Sequence, residues 1–225
     1  MANYLRVVYN ENIRPYTKYP PQLCNYLFQR FDMKKGDKIL DIGSGRGDFS
    51  KGFKDLGLEV FGIDREKGNS EMLKGIDVRL SDDIENNSFP FNSETFDFVF
   101  SKSVIEHLWN PENFMSESRR ILKPGGRIII MTPDWKSQRH IFYDDFTHVH
   151  SYTQISLKDM LKIYNFRDAK SEIFYQLPIL WRHPWLKIFS KCLQILGPVK
   201  KIHKNKFIRW SRELMILGSG VKKVV

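Results

Sequence analysis

Two segments carry side chains suited to moving a proton: Ser103-Val104-Ile105-Glu106-His107, and Tyr143-Asp144-Asp145-Phe146-Thr147-His148-Val149-His150-Ser151-Tyr152. A neutral imidazole within hydrogen-bond reach of a hydroxyl can take its proton while the oxygen attacks an electrophile. His148 is the first candidate for such a base and His107 the second. Glu106, Tyr143 and Asp145 stand beside them as candidates for contact with an acceptor, with Tyr16 and Tyr19 from an aromatic and basic N-terminal arm. The other reading of His148 is structural: it hydrogen-bonds backbone to hold its loop while Asp145 fixes the ring.

A third segment points to a nucleoside. Asp41-Ile42-Gly43-Ser44-Gly45-Arg46-Gly47-Asp48 is a glycine-rich turn between an apolar run and an amphipathic one, the place where backbone can approach a ligand closely. Dinucleotide-binding turns end in a third glycine, and Asp48 stands in that position here. Carboxylates at Asp41 and Asp48 would repel a pyrophosphate but suit a cofactor with a sulfonium, an ammonium and no phosphate. Asp48 alone also fits a plain helix N-cap. Asp64, 21 residues after Gly43, is placed to accept both ribose hydroxyls, and Asp82-Asp83-Ile84 offers a carboxylate for the adenine amino group and an apolar contact for its ring.

The elements that must position these groups follow a β-α-β rhythm. Apolar runs at Lys38 to Ile42, Leu58 to Ile63, Val78 to Leu80, Phe96 to Phe100 and Arg127 to Thr132 read as strands, the last with the continuous apolar stretch of a strand buried on both faces. Helices are expected at Pro20 to Phe31, Asp48 to Leu56, Glu71 to Lys74, Pro111 to Leu122 and Ser156 to Tyr164. Asn110 reads as the N-cap and Pro111 as the first helical residue of the fourth, which should stop at Pro124-Gly125-Gly126. Ala169 to Tyr175 and Glu213 to Gly218 read as two further strands. Asp97 reads as a surface residue at a strand entrance.

Composition narrows the class. A chain of 225 residues, 41% hydrophobic, suits one globular domain that buries roughly 70% of its unfolded surface. Cys24 and Cys192 are far apart and in no CxxC spacing, so neither a disulfide framework nor a cysteine-rich zinc site is expected, in keeping with a reducing cytoplasm. No apolar run reaches bilayer-spanning length, and Met1 to Asn10 lacks a signal-peptide core. The net charge of +10 is local: from Ile173 to Arg212 there are nine cations and no Asp or Glu, which leaves 27 Lys and Arg against 26 Asp and Glu elsewhere.

DIGSGRG at 41 to 47, FGID at 61 to 64, Asp82-Asp83, FDFVFSKSVIEHL at 96 to 108 and LKPGGRIIIMTPD at 122 to 134 together resemble the class I S-adenosylmethionine-dependent methyltransferases. The resemblance covers roughly residues 36 to 175 and implies a Rossmann-like doubly wound sheet of seven strands, order 3-2-1-4-5-7-6, with the last strand antiparallel. It implies cofactor contacts from Asp41, Gly43, Ser44, Gly45, Asp64, Arg65, Asp82, Asp83, Ile84, Ser101 and Lys102, the methionine end lying toward the last two. Asp145, Thr147, His148 and Thr153 resemble the DxTHxxxxT segment of methyltransferases of bacterial cell-surface polysaccharide clusters, as do the arm at Asn12 to Pro21 and the closing Arg209 to Met215. The organisation expected is an arm and helix (1–35), a cofactor-binding core (36–175), a basic insertion between strands six and seven (176–210) and a final strand and tail (211–225).

The resulting expectation is O-methylation of a sugar, glycan or related small metabolite by a cytoplasmic enzyme. RNA methylation and a non-catalytic S-adenosylmethionine-binding subunit are the alternatives. Some small-RNA 3′-end methyltransferases bind a metal through ExxEH; Ser103 replaces the first Glu here, and no metal is assigned, although Glu106, His107 and His148 could form a reduced set. In the insertion, Trp185, Ile188, Phe189, Cys192, Ile195 and Leu196 follow helical spacing, with Lys187, Lys191 and Gln194 on another face. Such a helix can serve as a lid, can meet an anionic membrane at the inner face or a lipid-diphosphate-linked glycan, through residues 177–206, or can pack its apolar stripe on the domain. The same cations, with Phe207 and Trp210 as stacking surfaces, are what an RNA contact would use.

Overall fold

The computed structural model describes residues 15–65, 71–196 and 206–224. Residues 12–14 of the arm and Lys200, Lys201 and Lys204 of the basic run lie outside them. The strands form one mixed sheet of seven, in the order β3-β2-β1-β4-β5-β7-β6, which is the doubly wound Rossmann-like arrangement expected. Two compact units divide the chain, Met1–Asp82 and Asp83–Val225.

The first unit contains helix α1 (Tyr19–Arg30), strand β1 (Lys38–Ile42), helix α2 (Asp48–Asp55), strand β2 (Glu59–Asp64), a 3-10 turn (Glu71–Leu73) and strand β3 (Asp77–Leu80). Pro20, Leu23, Cys24 and Leu27, at helical spacing, form the buried stripe of α1. The three strands are parallel, with Ile42 opposite Ile63 and Asp64 opposite Leu80, so their carboxyl ends share one edge. Gly43 and Asp64 therefore emerge side by side.

The second unit contains strand β4 (Phe96–Lys102), a 3-10 turn (Ile105–His107), helix α3 (Glu112–Ile121), strand β5 (Leu122–Pro133), helix α4 (Trp135–Gln138) and a 3-10 turn (Phe142–Asp144). Helix α5 (Gln154–Ile163), strand β6 (Phe166–Phe174), helix α6 (Pro178–Arg182), a 3-10 turn (Pro184–Leu186), helices α7 (Lys187–Leu196) and α8 (Lys206–Arg212) and strand β7 (Met215–Lys222) complete it. β4 and β5 are parallel; β7 runs antiparallel between β5 and β6 and is buried at every position. A Cβ on Gly218 would stand 2.7 Å from Leu157 of α5, so glycine here lets the helix lie directly on the strand.

Several boundaries differ from the sequence reading. β5 does not wait for Pro124-Gly125-Gly126 to pass: it begins at Leu122, and a register shift against β4, from the pair Phe96–Leu122 to the pair Phe98–Arg127, absorbs the extra residues. α3 starts at Glu112 with Pro111 in the cap position; the Asn110 carboxamide oxygen still accepts the Glu112 N–H at 3.0 Å. The cap of α2 is Gly47, in a left-handed conformation, and Asp48 is the first helical residue instead. The expected helix at Glu71 to Lys74 is a single 3-10 turn. α5 begins earlier than expected because the Thr153 hydroxyl accepts the Ser156 N–H and the Ser156 hydroxyl accepts the Thr153 N–H, closing a capping box. Strands β6 and β7 are both displaced, β6 toward the N-terminus and β7 past Glu213 and Leu214.

Candidate active site

Most of the residues expected to contact the cofactor lie in the first unit. After β1 the chain turns through Gly43, Gly45 and Gly47, with φ of 76°, 52° and 87°, a left-handed run that side-chain-bearing residues rarely adopt. Gly47 is further required by space, since a Cβ there would stand 2.5 Å from Leu73. Asp64, at the carboxyl end of β2, accepts the Gly45 N–H at 2.7 Å through Oδ2, tying the expected ribose carboxylate to the turn. The Ser44 hydroxyl is buried without a protein partner, the condition a ligand heteroatom would relieve. Arg65 donates to the Asp82 carbonyl at 3.3 Å, and Asp82 is exposed. A nucleoside with two ribose hydroxyls fits this donor set.

The acidic edge is weaker than the sequence suggested. Asp48 is paired with Arg46 at 3.1 Å, and the Arg46 guanidinium lies over the Tyr16 ring at 4.6 Å. Asp41 is buried and accepts the Ser50 hydroxyl at 2.5 Å. Burial, and then the neighbouring Asp64 and Asp48, push its carboxyl up to about 7. Tyr19 is also held neutral well beyond its ordinary range, chiefly by burial.

The remaining expected cofactor contacts, Asp83, Ile84, Ser101 and Lys102, and the candidate acceptor residues lie in the second unit. The Ser101 hydroxyl is buried and unpartnered, and Lys102 reaches the Ser103 hydroxyl at 3.5 Å. Asp83 is engaged in its own loop: its carboxylate accepts the N–H groups of Glu85 and Asn86 at 3.0 and 3.1 Å and the Asn86 carboxamide at 2.7 Å. Ile84 contributes its carbonyl to Asn113 at 3.0 Å.

The two histidine segments come together. The main-chain oxygen of Glu106 accepts the N–H groups of Val149 and His150, at 2.9 and 3.0 Å, which clamps the 3-10 turn to the 145–150 loop. Asp145 Oδ1 accepts both the Thr147 N–H, at 3.1 Å, and the Thr147 hydroxyl, at 2.6 Å. With its proton committed to Asp145, the hydroxyl acts as acceptor to His107 Nδ1 at 2.8 Å. The His107 tautomer is thereby set, with its acceptor lone pair on Nε2.

His148 is held as its structural reading expects: its Nδ1 donates to the Phe142 carbonyl at 2.6 Å, while Asp145 Oδ1 also serves the Thr147–His107 pair. Its own acceptor lone pair is likewise on Nε2. The two imidazoles lie with centroids 4.8 Å apart. Glu106 is fully buried; Oε2 accepts the Thr132 hydroxyl at 2.9 Å, Oε1 has no partner, and burial pushes the carboxyl up to about 7. Tyr143 is exposed and packs edge-on against Phe142. Thr132 was not singled out in the sequence, where its one signal is a hydroxyl inside an otherwise apolar strand.

The insertion contradicts one reading of its helix. The inward side of α7 carries buried Ser190 and Gln194, whose carboxamide donates to the Ser211 carbonyl at 2.8 Å. Trp185, just before the helix, and Ile188 and Phe189 within it point to solvent, with 62%, 66% and 56% of their surfaces exposed, so the described part of the apolar stripe is not packed on the domain. Phe207 and Trp210 are partly buried against the cluster of Tyr175, Leu177, Leu180 and Leu214. No helix among the described residues is long and apolar enough to cross a membrane.

Comparison with known proteins places this geometry in a class. Residues 9–171 match the model of the methyltransferase-domain family, and the chain belongs to that family; its fold is that of the class I S-adenosylmethionine-dependent methyltransferases. An uncharacterised protein of Methanocaldococcus jannaschii is 31% identical over 80% of this chain and 79% of its own. The ubiquinone biosynthesis O-methyltransferase of Proteus mirabilis is 29% identical over 53% of this chain, which spans about half (51%) of that relative's length. Among solved structures, a SAM-dependent methyltransferase from Archaeoglobus fulgidus superposes with a TM-score of 0.65 over 98% of this chain and 100% of the other, at 23% identity. The phosphoethanolamine N-methyltransferase 2 of Haemonchus contortus, in complex with phosphomonomethylethanolamine and S-adenosylhomocysteine, has a TM-score of 0.65 over 98% of this chain and 56% of its own, at 18% identity.

Proposed function

We propose that the protein methylates a hydroxyl oxygen of a sugar, glycan or related small metabolite, using S-adenosylmethionine. When bound, this cofactor supplies an electrophilic methyl on a sulfonium. Asp64 holds the ribose, the 43–47 turn lies against the nucleoside, and exposed Asp82 serves the adenine edge. The observation that carries the oxygen reading is the Asp145–Thr147–His107 chain: an alcohol loses a proton as it attacks and gains from a base whose tautomer is already set, whereas a neutral amine needs little help. His107, and not His148, is therefore the primary base. The O-methyltransferase among the relatives supports this choice.

Calorimetric titration with S-adenosylmethionine, S-adenosylhomocysteine and NAD tests the donor end. The first two are expected to bind and NAD not. Asp64→Ala should weaken both by about 1–3 kcal/mol, since a charged acceptor of two hydroxyls is lost; unchanged affinity would remove Asp64 from the ribose.

The reading includes a peripheral contact with an anionic membrane through residues 177–206, which would bring the enzyme to lipid-carried glycans. Exposed Trp185, Ile188 and Phe189, flanked by exposed Lys187 and Lys191, support it. Flotation with vesicles containing phosphatidylglycerol should carry the protein up, and pure phosphatidylcholine should not. Equal flotation of a Trp185→Ser/Phe189→Ser variant would sink the idea.

A further inference from the structure

Glu106, His107 and His148 each offer one donor atom, and these atoms lie within 4.8 Å of one another. The three come from the turn after β4 and from the 145–150 loop, which the two N–H bonds to the Glu106 carbonyl hold together. We infer that these residues form a binding site for one divalent transition cation, zinc being the best match to two imidazoles and a carboxylate.

Three features beyond proximity point this way. Glu106 is fully buried, yet its Oε1 has no protein partner, and a buried carboxylate oxygen left without one is costly unless something binds it. Both imidazoles are anchored through Nδ1, His148 by the Phe142 carbonyl at 2.6 Å and His107 by Thr147, itself held by Asp145. A carbonyl, or a hydroxyl backed by a carboxylate, behind each imidazole is how metal-binding histidines are oriented, because it fixes the tautomer and raises the basicity of the ligating nitrogen. Finally, Thr132 donates to Glu106 Oε2 at 2.9 Å and leaves Oε1 as the ligating atom. Donors at bond lengths of about 2.0–2.2 Å around one ion lie roughly 3–3.5 Å apart, so donor atoms that stand up to 4.8 Å apart need to close by about 1.3–1.8 Å. Three protein ligands leave coordination positions for an acceptor's oxygens, which favours acceptors with neighbouring hydroxyls.

The inference rests on the same acceptor end as the proposed O-methylation but makes a separate claim: the base reading describes the ion-free protein, whereas a bound cation would take the Nε2 lone pairs and would itself acidify the acceptor hydroxyl. The direct probe is Co2+ added to the metal-stripped protein, followed by its visible absorption, with Zn2+ affinity measured by competition against a chromophoric chelator. One equivalent is expected, with d–d bands of a low-coordinate site that Zn2+ bleaches. His148→Ala, at a partly exposed position, should weaken Zn2+ binding by at least the roughly 10- to 100-fold that loss of a ligand's supporting partner causes; His107→Gln should do the same, and circular dichroism checks that both fold. Absence of the bands, or Zn2+ affinity identical in wild type and in His107→Gln/His148→Ala, overturns the site. Turnover in EDTA separates the two claims: activity that survives chelation leaves the base reading standing when the cation fails, and cation binding without methyl transfer to any hydroxyl acceptor refutes the O-methylation reading alone.

Discussion

His107→Ala should lower kcat by about 10²- to 10⁴-fold, the range a positioned general base contributes, while leaving the affinity for S-adenosylhomocysteine unchanged. The split follows from placement. His107 lies in the turn at residues 105–107, and its Nδ1 is committed to Thr147 at 2.8 Å, so in the proposed reaction it acts through Nε2. The proposed nucleoside contacts come instead from the 43–47 turn, Asp64 and Asp82. Asp145→Asn should give a smaller loss with the same pattern, because the carboxamide can still accept the Thr147 hydroxyl but no longer carries the charge that favours the imidazolium formed during transfer. The measurement is steady-state turnover at saturating acceptor, after a screen of nucleotide-sugar and lipid-linked glycan acceptors, with cofactor affinity followed by calorimetry. Full turnover by His107→Ala would remove this residue from the reaction.

Asp41→Asn should make the protein more stable at pH 8 and almost no different at pH 4. Burial pushes the Asp41 carboxyl from 3.8 up to about 7. Between those values the folded state holds a proton that the unfolded chain has released, so stability is greatest below pH 4 and falls as the pH rises through the window. At 1.36 kcal/mol per unit, the contribution lost by pH 8 is at most about 4 kcal/mol. Asparagine carries no charge and its oxygen can still accept the Ser50 hydroxyl, which bonds Asp41 at 2.5 Å. Urea midpoints of both proteins at pH 4, 6 and 8 would show it. Glu106 titrates in the same window in both proteins and cancels in the difference. Parallel curves across all three values would mean that Asp41 is ionised in the fold at neutral pH.

Much of this protein was legible in one dimension. Continuous apolar runs such as Ile128-Ile129-Ile130-Met131 mark strands buried on both faces, and Gly43, Gly45 and Gly47 mark a turn that needs positive φ, because both are local properties of backbone and side chain. The strand order followed from the resemblance that these motifs carry. Boundaries slipped where tertiary pairing outweighed a local signal: β5 starts before Pro124-Gly125-Gly126 because Leu122 already pairs with Phe96.

Charge was the least legible property. Carboxylates at 41 and 48 look like an acidic rim in sequence, but whether each is buried, bonded to Ser50 or paired with Arg46 depends on where neighbouring side chains turn. The sequence determined which residues could act: a glycine turn with Asp64 beyond it, two histidine segments, and a cationic segment with an apolar stripe. Only the tertiary structure decided that Asp145 works through Thr147 on His107, that His148 is held by the Phe142 carbonyl, and that the stripe around Ile188 faces outward while Ser190 faces in. Periodicity gives each helix an apolar side but not the surface it meets, and no local rule pairs His107 with a hydroxyl 40 residues away.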